Sequence, residues 1–324
     1  MFAPRSGWGE GAPRFAVLAL AMFLAAACSM VQPRPAALGT EQNPIKLALA
    51  ASIEPQRMVT GGEPLAKQLE QATGLKIKLS VPTSHAAAIE AMSTHNLDVG
   101  WLAPFAYILA HDRVGAEPLL ASVRSGSPTV AGQIIVHADS GITTLEGVRR
   151  KRIAFVEPPS VAGNLLPRAL LLAGGMDPAS AFEQTTFLGS HEQVVLAVYR
   201  RQVDAGATFG ERSPGAANDA RQTVRATVSD VLEQVRVLAR TDPIPTDTIT
   251  LRKGISPELA RQLQDGFLKV AASPAGAQAL RALDGIEGLA PVTDADFQPV
   301  REAAQRLGLD LDAASTPSRT PTSP

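Results

Sequence analysis

The sequence predicts an α/β protein of two similar lobes, and three observations carry that prediction. Strand-like and helix-like segments alternate along most of the chain, the pattern of sheets with parallel strands covered by helices. The alternation comes in two successive blocks of about 100 residues, a size at which each block builds its own core. The length of 324 residues also exceeds that of a typical single domain. Two mostly parallel sheets, each flanked by helices, are therefore expected.

The elements follow in order. Arg5 and Arg14 precede an apolar run over 15–27 that ends at Cys28, which reads as a secretory signal, too short for a comfortable membrane span. Cys28 is the single cysteine, so an internal disulfide and a thiol-ligated metal cluster are both excluded. Residues 29–43 hold Pro33, Pro35 and Gly39 without periodicity and read as a flexible tether. Next come a strand over 45–51, a helix over 62–74 closed by Gly74, and a strand over 75–81 that alternates with period two. A helix over 86–94, a short strand over 97–101 and a helix opening after Pro104 complete the first block.

In the second block, strands are expected over 133–137, 152–156, 184–188 and 205–209, with helices over 144–149, 165–173 and 191–201. A strand over 235–239 then meets a break at Pro243 and Pro245. Helices over 257–272 and 274–283 should pack back on the first lobe. The expected division is a first lobe from 44–128 and 246–312, a second lobe from 129–245, and a disordered Ser/Thr/Pro-rich tail over 313–324.

Composition and motifs narrow the function. Lys and Arg number 30 against 31 Asp and Glu, with two Trp and two Tyr, so no basic stripe or stacking platform for nucleic acid is apparent. Ser160 lacks a G-x-S-x-G elbow, "HEQVV" has Val195 where a zinc protease has its second histidine, and no phosphate loop occurs. Neither a cofactor nor a metal is expected. Three strand-to-helix junctions remain: "VPTSHAAAIEAM" with Ser84 and His85, "WLAPFAYILA" with Tyr107, and "VEPPSVAGN" with Ser160. Helix N-termini carry unpaired N–H groups and about half a positive charge, which suits anions. The plainer alternatives are N-caps at Ser84 and Ser160, a half-exposed His85, and a buried Tyr107 ring with its hydroxyl on a backbone group. Pro167 requires the helix after Ser160 to kink or to start near Asn164.

Four phrases, "EPLAKQLEQATGLKIKL", "AAAIEAMSTHNLDVGWLAPFAYILAH", "FLGSHEQVVLAVYRRQVDAGATF" and "ARTDPIPTDT", resemble the phosphonate/phosphite-type substrate-binding proteins of bacterial ABC importers. The resemblance covers most of 45–311. It implies a periplasmic-binding-protein-like fold whose cleft closes around a small oxyanion, phosphonate-, phosphite- or phosphate-like, hinging near 126–132 and 239–248, and which delivers its ligand to an ABC permease. A sulfonate or another small anion is the alternative ligand, and an enzyme on the same scaffold, with His191 or His85 as base, the alternative of another class.

The resemblance also implies site residues. The family's loop commonly reads Ser-Thr-Ser-Gly around the phosphonate oxygens; here it reads Ser160, Val161, Ala162 and Gly163, with two hydroxyls replaced by aliphatic groups. His85 stands where tyrosine is frequent, while Tyr107 and His191 match as anion donors, and Ser52 and Ser84 join the expected ligand-binding set. Glu211 and Asp247 align with carboxylates that some members place against a ligand's amine. The N-terminus resembles a lipoprotein signal, although Leu24 sits one place early. A monomer outside the cytoplasm, lipid-anchored through Cys28, is the expectation.

Overall fold

The computed structural model describes residues 1, 36–49, 58–211 and 218–309. Cys28, Ser52 and the 313–324 tail lie outside the described residues. The strands are β1 (Ile45–Ala48), β2 (Ile77–Ser80), β3 (Val99–Leu102), β4 (Glu117–Val123), β5 (Thr129–His137), β6 (Arg152–Phe155), β7 (Gln184–Phe187), β8 (Ala205–Gly210), β9 (Val235–Pro245), β10 (Thr248–Leu251) and β11 (Gly288–Pro291). They form one sheet in the order β11-β4-β10-β3-β1-β2 and a second in the order β7-β6-β8-β5-β9. The principal helices are α1 (Glu63–Thr73), α2 (His85–Ser93), α3 (Pro104–Val114), α4 (Leu166–Ala173), α5 (His191–Tyr199), α6 (Pro257–Ala272), α7 (Pro274–Asp284) and α8 (Gln298–Arg306).

The two-lobed α/β architecture is as the sequence predicts, but the sheets are mixed rather than mostly parallel. β1 runs parallel to β2 and β3, and β6 to β7 and β8, because helical crossovers return the chain in the same direction. β5 pairs antiparallel with β8 and β9, and β10 with β3 and β4. These strands adjoin the two crossings between sheets, where the chain leaves along one strand and comes back beside it. The crossings are bonded to each other: Ser122 N–H donates to Asp247 O at 2.9 Å and Thr246 N–H to Pro128 O at 3.0 Å.

Other differences have local causes. β9 continues through Pro243 and Pro245 because it is an edge strand, where a missing N–H costs no ladder bond on the open side. The helix expected over 144–149 shrinks to one tight turn, Glu146–Val148. β4, β10, β11 and α8 are additions to the sequence reading.

α6 and α7 pack on the first lobe, where Leu263, Phe267, Leu280 and Leu283 share a core with Ile45, Leu47 and Trp101. α8 does not follow the expected return to that lobe alone. Its Val300 and Ala303 belong to one apolar cluster with Leu165, Leu166 and Ala169 of the second lobe and with Ile108 of the first. The last helix thus lies against both.

Candidate ligand-binding cleft

A cleft of about 740 Å³ opens between the lobes. Four helix starts border it, two from each lobe: α2 through His85 and Ala86, α3 through Pro104 and Phe105, the turn before α4 through Ser160 and Ala162, and α5 through His191 and Glu192. The local sequence explains why these helices begin here. Ser84 caps α2 by accepting from Ala87 N–H at 3.1 Å, Pro104 lies in the first turn of α3, and Ser190 caps α5 by accepting from Gln193 N–H at 3.2 Å. Each cap satisfies one first-turn donor and leaves others for a ligand. Converging N-termini attract negative charge.

The Ser160 junction resolves the two options that Pro167 left open. A wide π turn, Val161–Leu165, precedes α4, so Pro167 falls in the first turn of the regular helix, where a missing N–H costs least. Ser160 Oγ accepts from Gly163 N–H at 3.1 Å, and Asn164 Nδ2 donates to Pro158 O at 2.7 Å, which stiffens the loop. Gly163 is a packing requirement: a Cβ there would lie 2.4 Å from Val156 Cγ2. Its N–H is engaged by the cap, and the residue does not line the cleft. Val161 and Ala162 do, and their N–H groups meet no acceptor among the described residues.

His191 is the best-defined donor. Phe209 N–H points at Nδ1 at 3.3 Å, and Thr208 Oγ1 lies 2.8 Å from the same nitrogen. An Nδ1 that accepts from a backbone N–H carries no proton, so the neutral ring holds its hydrogen on Nε2. Burial pushes the imidazole pKa down to about 4, against a small opposing pull from Glu192. At neutral pH His191 is an uncharged N–H donor. His85 is also lowered by burial, with Asp247 and Glu157 pulling the other way, and its buried Nδ1 has no hydrogen-bond partner among the described residues.

The structure does not bring every predicted residue to the cleft. Tyr107 is fully buried, its ring 4.2 Å from that of Phe297 between centroids, and its hydroxyl donates to Asp294 Oδ1 at 2.6 Å. One turn into α3, the side chain points into the core, and burial followed by the Asp294 bond pushes its pKa well above the usual phenol. Ser84 is an exposed cap outside the lining, and Glu211 also lies outside it. Asp247 does line it, but Arg124 Nη2 donates to its Oδ2 at 2.8 Å. Arg124 escaped the sequence reading. "VRSGSP" showed no strand or motif, and the residue matters through two aspartates more than 120 positions away.

The comparisons with known proteins agree with this layout. Residues 47–297 match the family described as ABC transporter, phosphonate, periplasmic substrate-binding protein. The chain is 27% identical to the phosphate-import protein PhnD of Mycolicibacterium smegmatis, over 88% of this chain and 92% of that one. It is 25% identical to the phosphonates-binding periplasmic protein of Escherichia coli, over 83% of this chain and 78% of that one. Among solved structures, the binding protein component of an ABC phosphonate transporter from Pseudomonas aeruginosa superposes with a TM-score of 0.59 at 25% identity, covering 86% of this chain and 91% of that one. PhnD1 of Prochlorococcus marinus, solved with methylphosphonate, shares the fold with a TM-score of 0.61 at 14% identity, covering 82% and 98%. With two sheets facing across an anion-suited cleft and a family match spanning both, the chain belongs to the periplasmic substrate-binding proteins of phosphonate ABC transporters.

Proposed function

We propose that this protein captures a small oxyanion, phosphonate-, phosphite- or phosphate-like, in the inter-lobe cleft and hands it to an ABC permease without chemical change. The observation that carries the reading is the convergence of four helix N-termini on one cleft, together with a histidine fixed as an Nε2–H donor. The relatives named for phosphate import and for phosphonate binding supply the ligand class. The ligand-binding set is His85, Ser160, His191 and the N–H groups of Val161 and Ala162.

Binding works by closure. The lobes, 44–128 with 246–312 and 129–245, swing about the paired crossings, and a ligand held from both sides favours the closed form. Ser125 at φ 50° and Gly126 at φ 78° form the turn of the first crossing, between Arg124 and Ser127. The closed, loaded form engages the permease. Cys28 is proposed to anchor a monomer to the membrane from outside the cytoplasm, and Cys28→Ser should release it from the membrane fraction.

Titration calorimetry with methylphosphonate, phosphite, phosphate and methanesulfonate tests the reading. Saturable one-to-one binding of at least one phosphorus oxyanion, recovered unchanged afterwards, is expected. If none binds at millimolar concentration, or the ligand is converted, the reading fails. Calorimetry is preferred to fluorescence because Trp101 is buried edge-on to Phe267, with Nε1 donating to Ser122 Oγ, and does not line the cleft.

A further inference from the structure

Arg124 is the one cation lining the cleft among the described residues, histidines aside. It opens the outgoing crossing, directly after β4, and its guanidinium is gripped from two directions. Nη2 donates to Asp247 Oδ2 at 2.8 Å on the return crossing and to the Asp284 carboxylate at the end of α7, while Nε donates to Asp284 O at 3.3 Å. Burial alone would weaken the charge, but the Asp247 and Asp284 carboxylates outweigh it and raise the pKa. Nη1 meets no acceptor among the described residues and is not a buried orphan, which leaves its hydrogens for a ligand.

This arrangement reverses the role that alignment gave Asp247. A carboxylate already bonded to a guanidinium is a poor receptor for a ligand's ammonium, which would have to sit beside a like charge. Glu211 lies outside the lining, so the expected pair of amine-binding carboxylates is not assembled. Glu157 and Glu192 are exposed at the rim, where water screens them. A guanidinium pre-set by two carboxylates, by contrast, gives up little freedom when it meets an oxyanion.

We propose that Arg124 is the charged contact for the ligand's oxyanion, that Asp247 and Asp284 are positioning residues for its fork, and that the cleft takes an oxyanion without an amine. The proposal rests on the oxyanion reading of the same cleft. It makes Arg124 a specificity-determining residue and connects the ligand to both crossings through one side chain.

The test is calorimetric titration of wild type, Arg124→Gln, Arg124→Lys and Asp247→Asn with methylphosphonate and 2-aminoethylphosphonate, with thermal midpoints checking the fold. Wild type is expected to bind methylphosphonate at least as tightly as the aminoethyl compound. Arg124→Gln should weaken both by about tenfold to a hundredfold, the range for a hydrogen bond to a charged group. Arg124→Lys should recover part of that loss, since it keeps the charge without the fork. Asp247→Asn should weaken both ligands by the same factor, because a positioning residue leaves their ratio unchanged. The proposal is overturned if Arg124→Gln or, should that variant not fold, Arg124→Lys binds within twofold of wild type. Selective loss of the aminoethyl ligand in Asp247→Asn also overturns it, as does a tenfold wild-type preference for that ligand, which needs no variant. If wild type binds neither these nor inorganic phosphate, the oxyanion reading itself falls.

Discussion

His191 and His85 occupy the same place in opposite lobes, yet they are prepared for different work. Each opens a helix one residue after a capping serine, borders the cleft and has its pKa lowered by burial. The difference lies behind the rings. His191 Nδ1 is tied to Thr208 and to Phe209 N–H, whereas His85 Nδ1 is buried without a partner among the described residues. The first ring therefore has one tautomer and one orientation before any ligand arrives. The second keeps an unmet hydrogen bond, which a ligand or the closing of the cleft would satisfy. Identical position in a repeated motif does not make two residues equivalent; the groups behind them decide.

The largest expected effect that tests this contrast is acid destabilisation. The folded-state pKa of His191, about 4, lies below its ordinary value of 6.5. The folded form thus prefers the neutral ring, and the stability this confers is present above about pH 6.5 and lost as pH falls toward 4. At roughly 1.4 kcal/mol per unit the loss reaches at most about 3.5 kcal/mol. His191→Gln should flatten that part of a plot of thermal midpoint against pH, and an unchanged slope would contradict the burial argument.

Next comes His191→Ala, which removes a fixed donor to a charged ligand and should cost about 1.5–3 kcal/mol of binding by calorimetry. Thr208→Val keeps the imidazole but removes one of its two anchors, for a loss of about 1 kcal/mol that is confined to ligand binding if the core absorbs the change. The smallest effect is expected for His85→Ala: its ring is not held in place before the ligand arrives, so ordering it offsets much of the bond it makes, and affinity should fall by less than about 1 kcal/mol. A loss at His85 equal to that at His191 would erase the distinction between them.

Much of the scaffold was legible because its signals are local. The alternation of periods placed most strands and helices, and Ser84 and Ser160 marked helix starts through cap chemistry that needs only a few neighbouring residues. β4 was missed because its central residues are buried, and a short apolar run lacks the alternation that a half-exposed strand displays; β10, Thr248-Ile249-Thr250-Leu251, does alternate, but four residues just after a two-proline break are too short a signal. Tyr107 was misplaced by helix face: Phe105, Ala106 and Leu109 of α3 line the cleft, whereas Tyr107 does not and its side chain is buried in the core. Arg124 was invisible for the opposite reason. Its partners, Asp247 and Asp284, reach it only once the two crossings and the end of α7 have been brought together.

The order of strands in the first sheet carries a consequence for how the chain is made. β10 sits between β3 and β4, although about 125 residues separate it from β4 and about 145 from β3 along the sequence. The second sheet, by comparison, draws its five strands from one uninterrupted stretch, β5 through β9. A ribosome therefore delivers everything the second sheet needs while the first still has a gap at its centre. Until β10 emerges, β3 and β4 present unpaired edges, and edges of that kind are where nascent chains misassociate. Synthesis exposes the first-made sheet longest, and the segment that seals it runs straight on from the crossing that carries Asp247.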